Sequence, residues 1–320
     1  MIIADRIYGR FDITEPVLLE LLKSPAVLRL KKISQHGVPG KYYGSSGYSR
    51  YYHSLGVMLV LRRLGASLEE QVAGLIHDAS HLAFSHVADW VFADGHKGKE
   101  DYHDLSHDQF IRKTEIPQIL SRYGLDTERI LNGNNFPLLE NQLPNICADR
   151  LDYTLQEIYR SADKKVVGKY LNGVINFKNE IVFESKNSGL SFAENYLRLQ
   201  RELWGGENDS VRYNDFSEIL KDALQKGIID RVDFYKDEEK ILAKLESSPD
   251  EKMMDALKIM TLKNFLGIRK KRGLWVRRKF RYVDPKVLID GKIKRVSELY
   301  PAFKKKIERE KIENEKGILV

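Results

Sequence analysis

The stretch from Leu75 to Asp89, Leu-Ile-His-Asp-Ala-Ser-His-Leu-Ala-Phe-Ser-His-Val-Ala-Asp, constrains the fold more than any other part of the chain. It sets three histidines and two aspartates within thirteen positions, His77 to Asp89, of an otherwise apolar frame. At about 100° per residue, one helix through it gathers Val72, Ile76, Ala79, Ala83, Val87 and Trp90 on one side. His77, Asp78, His81, Ser85 and Asp89 then share the other. Solvated helix faces are usually built from Lys and Glu, and this one has neither. Imidazoles and carboxylates opposite a buried stripe are the parts of a metal or acid/base site; the alternative is a polar face left to water.

The 320 residues suffice for one large domain or two moderate ones. No apolar run approaches the roughly eighteen residues of a membrane span, so no membrane association is expected. The chain starts Met1-Ile2-Ile3-Ala4-Asp5-Arg6, with charges at once, and is read as lacking a signal peptide. Cys147 is the single cysteine; it excludes an internal disulfide and fits a reducing, cytoplasmic setting. A formal charge of +7 favours anionic partners: nucleotides, nucleic acid or phosphate esters.

Residues 11 to 34 read as two short helices broken at Ser24-Pro25. A glycine-rich loop, Gly37 to Gly47, follows, able to lie against a ligand or merely to connect. Tyr51 to Leu64 is a helix closed by Gly65, with His53 in its first turn. Ser67-Leu68-Glu69-Glu70 is a capping box that starts the next helix, antiparallel to the first. The polar stretch 94–108 leads into a helix where His103 and His107 are four apart; His96 and His103 are read as surface residues. In 145–158, Leu151, Leu155 and Ile158 form an apolar stripe, with Asp149, Asp152, Tyr153 and Gln156 opposite.

Beyond Ser161 the pattern changes. Val174 to Phe183 reads as a hairpin around Lys178-Asn179-Glu180, and Phe192 to Gln225 as helix interrupted at Gly205-Gly206. One or two helices fill 237–266, and Val296 to Glu315 is a charged helix. Between them lies a basic run, Arg269 to Arg272 and Arg277 to Arg281, with Trp275, Phe280 and Tyr282 interleaved. Phe280 and Tyr282 fall on alternate positions, as in a strand.

His53, His77, Asp78 and Asp149 are four potential ligands spread over three helices. Two imidazoles and two carboxylates suit a divalent transition metal or Mn²⁺ better than a thiolate-preferring site, and leave coordination positions open. His81, His86 and His107 are near enough in sequence to neutralise a phosphate or protonate a leaving oxygen.

The ordered set Ser49-Arg50-Tyr51-Tyr52-His53, His77-Asp78 through His86, Ser106-His107-Asp108 and Asp149-Arg150-Leu151-Asp152-Tyr153 resembles the HD-domain metal-dependent phosphohydrolases. Within that superfamily it is most similar to the deoxynucleoside triphosphate triphosphohydrolases. The resemblance covers roughly residues 5–160 and implies His53, His77, Asp78 and Asp149 as ligands of a divalent ion, whether Mn, Fe, Mg, Ni or Zn. It implies Arg50, His81 and Arg150 on phosphate, His86 as general acid, Asp89 and His107 as a supporting dyad, Tyr153 against the sugar and Gln35 on its 3′-hydroxyl. Ser80, Leu82 and Ala83 replace the glycines and proline usual after the His-Asp pair, so this turn is expected to be more helical than in the family. His36 replaces a leucine that crowds a 2′-hydroxyl in the vertebrate enzyme.

The resulting expectation is a mainly α fold. Residues 1–265 form an HD-domain helical core with a hairpin insertion at about 170–185, and 266–320 a small basic α+β lobe. The implied activity is hydrolysis of a dNTP to deoxynucleoside and triphosphate by water attack at the α-phosphorus. A phosphatase acting on nucleoside monophosphates or another phosphate ester is an alternative. A nucleic-acid-binding protein using 269–286 is another, less favoured than a role for that tail in oligomer contacts or a regulatory nucleotide site. A homo-oligomer is expected.

Overall fold

The computed structural model describes residues 1–42, 47–93, 95–97, 102–161, 164–261, 265–268, 273 and 275–319. The chain opens on a hairpin that the sequence pattern did not announce, β1 (Ile2–Asp5) against β2 (Gly9–Asp12). Short helices α1 (Pro16–Leu21) and α2 (Pro25–Arg29) follow, the second capped by Ser24, whose hydroxyl accepts from Val27 N at 3.4 Å. The central helices are α3 (Arg50–Arg63) and α4 (Leu68–Ile76). Gly65, at φ +72°, reverses the chain between them, a conformation that costs glycine nothing.

Only half of the expected capping box forms. Ser67 Oγ accepts from Glu70 N at 3.1 Å, but the Glu70 carboxylate turns away. It accepts from Leu138 N at 2.8 Å and Leu139 N at 3.1 Å. Those amides are buried and need an acceptor, so Glu70 fixes the loop that delivers α9.

Next come α5 (Val87–Phe92), α6 (Tyr102–Arg112), α7 (Ile116–Arg122), α8 (Thr127–Leu131), α9 (Ala148–Arg160) and α10 (Lys164–Asn172). The expected hairpin is β3 (Val174–Phe177) and β4 (Glu180–Phe183), with Lys178 and Asn179 at positive φ in its turn. Helices α11 (Lys186–Leu199) and α12 (Glu207–Gln225) are joined by a π-turn, Gln200–Trp204. Beyond them lie α13 (Glu238–Glu246), α14 (Glu251–Met260) and α15 (Phe265–Ile268).

The last part holds β5 (Trp275–Val276), β6 (Lys286–Ile289), β7 (Lys292–Arg295), α16 (Val296–Leu299), α17 (Pro301–Lys316) and β8 (Ile318–Leu319). Strand order β3-β4-β6-β7 puts the early and late hairpins in one sheet, β4 parallel to β6. The alternating segment at Phe280 and Tyr282 runs between β5 and β6 and makes no ladder there. No described helix is long and apolar enough to cross a membrane. The fold is mainly α, as expected.

Two apolar cores explain the one large departure. Val72, Leu75, Ile76 and Ala79 enter a core built with α3, α9 and α11. Leu82, Ala83, Phe84, Val87 and Trp90 enter another, built with α12, α13 and α14. A single helix from 72 to 90 would send Val72, Ile76, Ala79, Ala83, Val87 and Trp90 one way. Instead α4 ends at Ile76, the chain turns, and α5 starts at Val87. Phe84 (φ 67°) and Ser85 (φ 45°) take left-handed backbone. This costs on the order of 1–3 kcal/mol per residue. It persists because Phe84 is fully buried against Phe216, ring centroids 4.9 Å apart. The expectation of a more helical turn at Ser80–Ala83 is therefore corrected: packing into two cores overrides local propensity.

Candidate active site

Helix α3 presents Arg50 and His53, the C-terminal end of α4 presents His77 and Asp78, and the first turn of α9 presents Asp149. His53 Nε2 lies 2.9 Å from Asp149 Oδ1 and 3.8 Å from Asp78 Oδ2. His77 Nε2 lies 3.4 Å from Asp78 Oδ1 and 3.7 Å from Asp149 Oδ1. One donor atom each from His53, His77 and Asp149 falls within 4.8 Å of the others, the spacing that lets one ion meet all three.

The far side of each ring sets its tautomer. His77 Nδ1 is 2.8 Å from the carbonyl of Gly74, which only accepts, so Nδ1 carries the proton and Nε2 offers its lone pair. That Nε2 is buried and makes no hydrogen bond. His53 Nδ1 donates to Asp152 Oδ2 at 2.7 Å, and Asp152 Oδ1 accepts from Tyr8 OH at 2.5 Å. The turn of the N-terminal hairpin thus braces a ring of the cluster through a buried carboxylate. Asp152, read from sequence as part of a polar face, is fully buried.

Burial alone would lower the His53 pKa, but the Asp149 and Asp152 carboxylates outweigh it and raise it to about 10. Burial likewise would raise Asp149, and the imidazoles of His53 and His77 lower it instead. Such a donor set, rich in anionic charge and aimed inward, fits a divalent cation with nitrogen and oxygen ligands.

Around this cluster is a cavity of about 390 Å³. Gln35, Arg50, His81, His86, Arg150 and Tyr153 all line it, as do His77, Asp78 and Asp149. Arg50, 3% exposed, donates through Nη1 to Asp78 Oδ2 at 2.8 Å and through Nε to Ser85 Oγ at 2.9 Å. Its Nη2 is buried without a partner. His81 Nε2 lies 3.3 Å from Asp78 Oδ1. Arg150 reaches Glu140 Oε1 at 2.7 Å and Asn141 Oδ1 at 3.0 Å. The Tyr153 hydroxyl bonds that of Tyr196. Gln35 is set beside Arg50 because Ser34 bridges Ser49, and its Oε1 is buried without a partner.

The implied dyad is re-paired. His86 Nδ1 lies 2.9 Å from Asp89 Oδ2, one turn apart at the start of α5. The His107 ring, on α6, instead places Nε2 3.2 Å from the carbonyl of Ile76. His86 and Asp89 are three positions apart and meet across the first turn of α5, while the carbonyl at the end of α4 is shared by Ala79 N, at 2.9 Å, and the His107 ring. His107 sits against the end of α4, beside the His77-Asp78 turn, and does not line the cavity.

Three groups were missed in the sequence. Lys279 and Arg281 line the same cavity, from the basic stretch. Glu238, at the start of α13, is buried and joins both sides of the site. Its carboxylate accepts from Ser34 N at 2.8 Å, Ser34 Oγ at 2.6 Å and Phe84 N at 3.0 Å. Ser34 O in turn accepts from Ser85 Oγ at 2.6 Å. Desolvation raises the Glu238 pKa from its ordinary 4.5 to about 7 despite these bonds. Because the folded value lies above the unfolded one, this group's stabilisation is complete below the unfolded value and is lost as pH rises through the folded one. The loss is on the order of 3 kcal/mol. Glu238→Gln is expected to remove that slope, so that denaturant midpoints at about pH 5 and about pH 8 lie closer together than in the wild type. An unchanged gap would mean that Glu238 does not titrate in this range.

Arg269 to Arg272, residues 43–46 of the glycine-rich loop, and Asp94, Glu100 and Asp101 of the polar stretch lie outside the described residues.

Residues 50–155 match the HD domain family. Over 238 residues the chain is 31% identical to the metal-dependent phosphohydrolase cns2 of Cordyceps militaris, covering 72% of this chain and 68% of that one. The chain belongs to the HD-domain metal-dependent phosphohydrolases. This phosphohydrolase is also 34% identical over 300 residues to the uncharacterized protein YdhJ of Bacillus subtilis, 91% of this chain and 90% of that one. A shorter stretch of 108 residues is 35% identical to the bovine deoxynucleoside triphosphate triphosphohydrolase SAMHD1, covering 28% of this chain and 18% of that one. The fold is shared with a phosphohydrolase from Bacteroides thetaiotaomicron, TM-score 0.66 at 17% identity, covering 93% of this chain and 94% of that one. The phosphohydrolase takes a divalent metal ion as cofactor.

Proposed function

We propose that this phosphohydrolase cleaves deoxynucleoside triphosphates to deoxynucleoside and inorganic triphosphate. One observation carries the reading. Three buried polar atoms without partners belong to residues lining one cavity: His77 Nε2, Arg50 Nη2 and Gln35 Oε1. A lone pair that wants a cation, an N–H that wants an anion and a carbonyl that wants a hydroxyl describe a metal, a phosphate and a sugar in one ligand. The partial likeness to SAMHD1 supports the triphosphate and the deoxyribose.

In this reading His53, His77, Asp78 and Asp149 hold the ion. When bound, it supplies a Lewis acid for the phosphoryl oxygens and a water of lowered pKa. Arg50 and His81 meet the oxygens of the α-phosphate, and Arg150 those further along. Tyr153 packs on the sugar, and Gln35 accepts from its 3′-hydroxyl. His86, its Nδ1 held by Asp89, turns Nε2 toward the leaving 5′-oxygen. Water forms the new P–O bond and gives up a proton to solvent, the bond to the 5′-oxygen breaks, and that oxygen takes the His86 proton, which solvent then restores. His107 holds the end of α4 in place behind His77.

The test is a nucleotide panel with product identification. Inorganic triphosphate as the product confirms the cleavage site; orthophosphate or pyrophosphate refutes it and favours a phosphatase of another ester. His86→Ala is expected to lower turnover about 10²- to 10⁴-fold while metal content stays near the wild-type value. Loss of metal in that variant would make His86 a ligand instead of an acid.

A further inference from the structure

The basic stretch near the C-terminus supplies a wall of the catalytic cavity although it lies outside the residues that match the HD domain. We propose that residues 275–284 form a cationic strap, with Lys279 and Arg281 binding the β- and γ-phosphates of the substrate. The inference rests on the triphosphate reading above and names the part of the chain that recognises phosphate-chain length.

The strap is held at both ends. On one side Trp275 and Val276 pair with Leu319 and Ile318, and Arg277 N donates to His96 O at 3.0 Å. On the other, Asp284 N donates to Pro144 O at 2.8 Å, and Arg295 joins Asp284 O at 2.9 Å to Asn145 Oδ1 at 2.8 Å. Its middle is held by backbone carbonyls: Lys279 O accepts from Gln200 Nε2 at 3.1 Å, and Arg278 O from Asn314 Nδ2 at 3.0 Å. The π-turn and α17 thus fix the register without using the cationic side chains.

The side chains of this segment divide between the core and the cavity. Phe280 and Tyr282 stack on each other, centroids 5.6 Å apart, and pack against the core. Lys279 and Arg281 line the cavity. Arg281 is near enough to the Tyr153 and Tyr196 hydroxyls for its charge to act on both.

Charge bookkeeping around the cavity explains what the strap is for. Arg50 is matched by Asp78, and Arg150 by Glu140. Lys279 has no ion-pair partner among the described residues. A single phosphate next to the metal cluster already finds Arg50. Added cations lining the same cavity are useful to a ligand that carries more charge than one phosphate, which is what a polyphosphate chain does.

The experiment is calorimetric titration with inorganic tripolyphosphate and with orthophosphate, under Mg²⁺ in excess of both, on the full chain. The wild type is expected to bind tripolyphosphate at least about 30-fold more tightly than orthophosphate. Lys279→Gln with Arg281→Gln is expected to weaken tripolyphosphate by at least about 10-fold and orthophosphate by less than about threefold. The charge-conserving pair Lys279→Arg with Arg281→Lys should keep most of the preference, so the inference stays exposed if the glutamine variant does not fold. No preference in the wild type, or an equal loss of both ligands in the glutamine variant, would overturn the strap. Product identity is read separately: a wild type that prefers tripolyphosphate but never releases triphosphate from a dNTP refutes the cleavage reading and leaves the strap standing.

Discussion

Asp78→Asn is expected to leave a folded protein with less than about a tenth of its metal and turnover reduced about 10³-fold or more. The side chain does two jobs. Its Oδ1 faces His77 at 3.4 Å and His81 at 3.3 Å, and its Oδ2 accepts from Arg50 at 2.8 Å. Asparagine keeps an acceptor for the guanidinium but loses the charge that a divalent ion requires. Alanine is the harsher change. It strands the Arg50 cation, which is 3% exposed, and a buried charge stripped of its partner costs about 3–5 kcal/mol. Elemental analysis and a melting curve separate the effects: both variants should lose metal, and the asparagine variant, which keeps an acceptor for Arg50, should lose less stability than the alanine variant. Full metal content in Asp78→Asn would remove Asp78 from the ligand set.

Gly56→Ala is expected to be among the most damaging substitutions at an uncharged position. A Cβ at Gly56 would lie 2.0 Å from Asp152 Oδ1, closer than any contact can be. The helix backbone is fixed, so Asp152 must move. Its bonds to Tyr8 at 2.5 Å and His53 at 2.7 Å go with it. Overpacking costs about 1–3 kcal/mol, and breaking a buried charged pair a few more. A loss of 3 kcal/mol or more, about 10-fold to 100-fold weaker metal binding, and partial unfolding at growth temperature are expected. Asp152→Asn is the companion: it keeps the volume, so weaker metal binding without a large fall in melting temperature would locate the effect in the carboxylate that orients His53. A Gly56→Ala protein as stable as wild type would mean that Asp152 has room the structure does not give it.

The order of the proposed ligands along the chain was legible because each of those residues sits at the start or end of a helix whose signals are local. His53 lies in the first turn of α3, His77 and Asp78 just after α4, and Asp149 in the first turn of α9. The glycine at 65 and the cap at Ser67 made α3 and α4 neighbours before any coordinate did. The partners of those ligands were not legible. Tyr8 meets Asp152 across 144 positions, and Glu238 meets Ser34 across 204. A carboxylate on the polar side of a helix looks solvated until another element covers it.

The basic residues Lys279 and Arg281 were present in the sequence as a cationic run, but only the tertiary structure revealed that they line the same cavity as His77 and Asp149. By itself the sequence determined which side chains offer atoms of the kind a metal takes and the helices that carry them, since helix caps, apolar periodicity and residue chemistry are properties of short stretches. The tertiary structure decided that 72–90 is two helices and a strained turn, and that Asp89 serves His86. It also decided that a distant basic segment closes the cavity. Those outcomes depend on which of two cores each apolar residue enters, and no short stretch of chain carries that information.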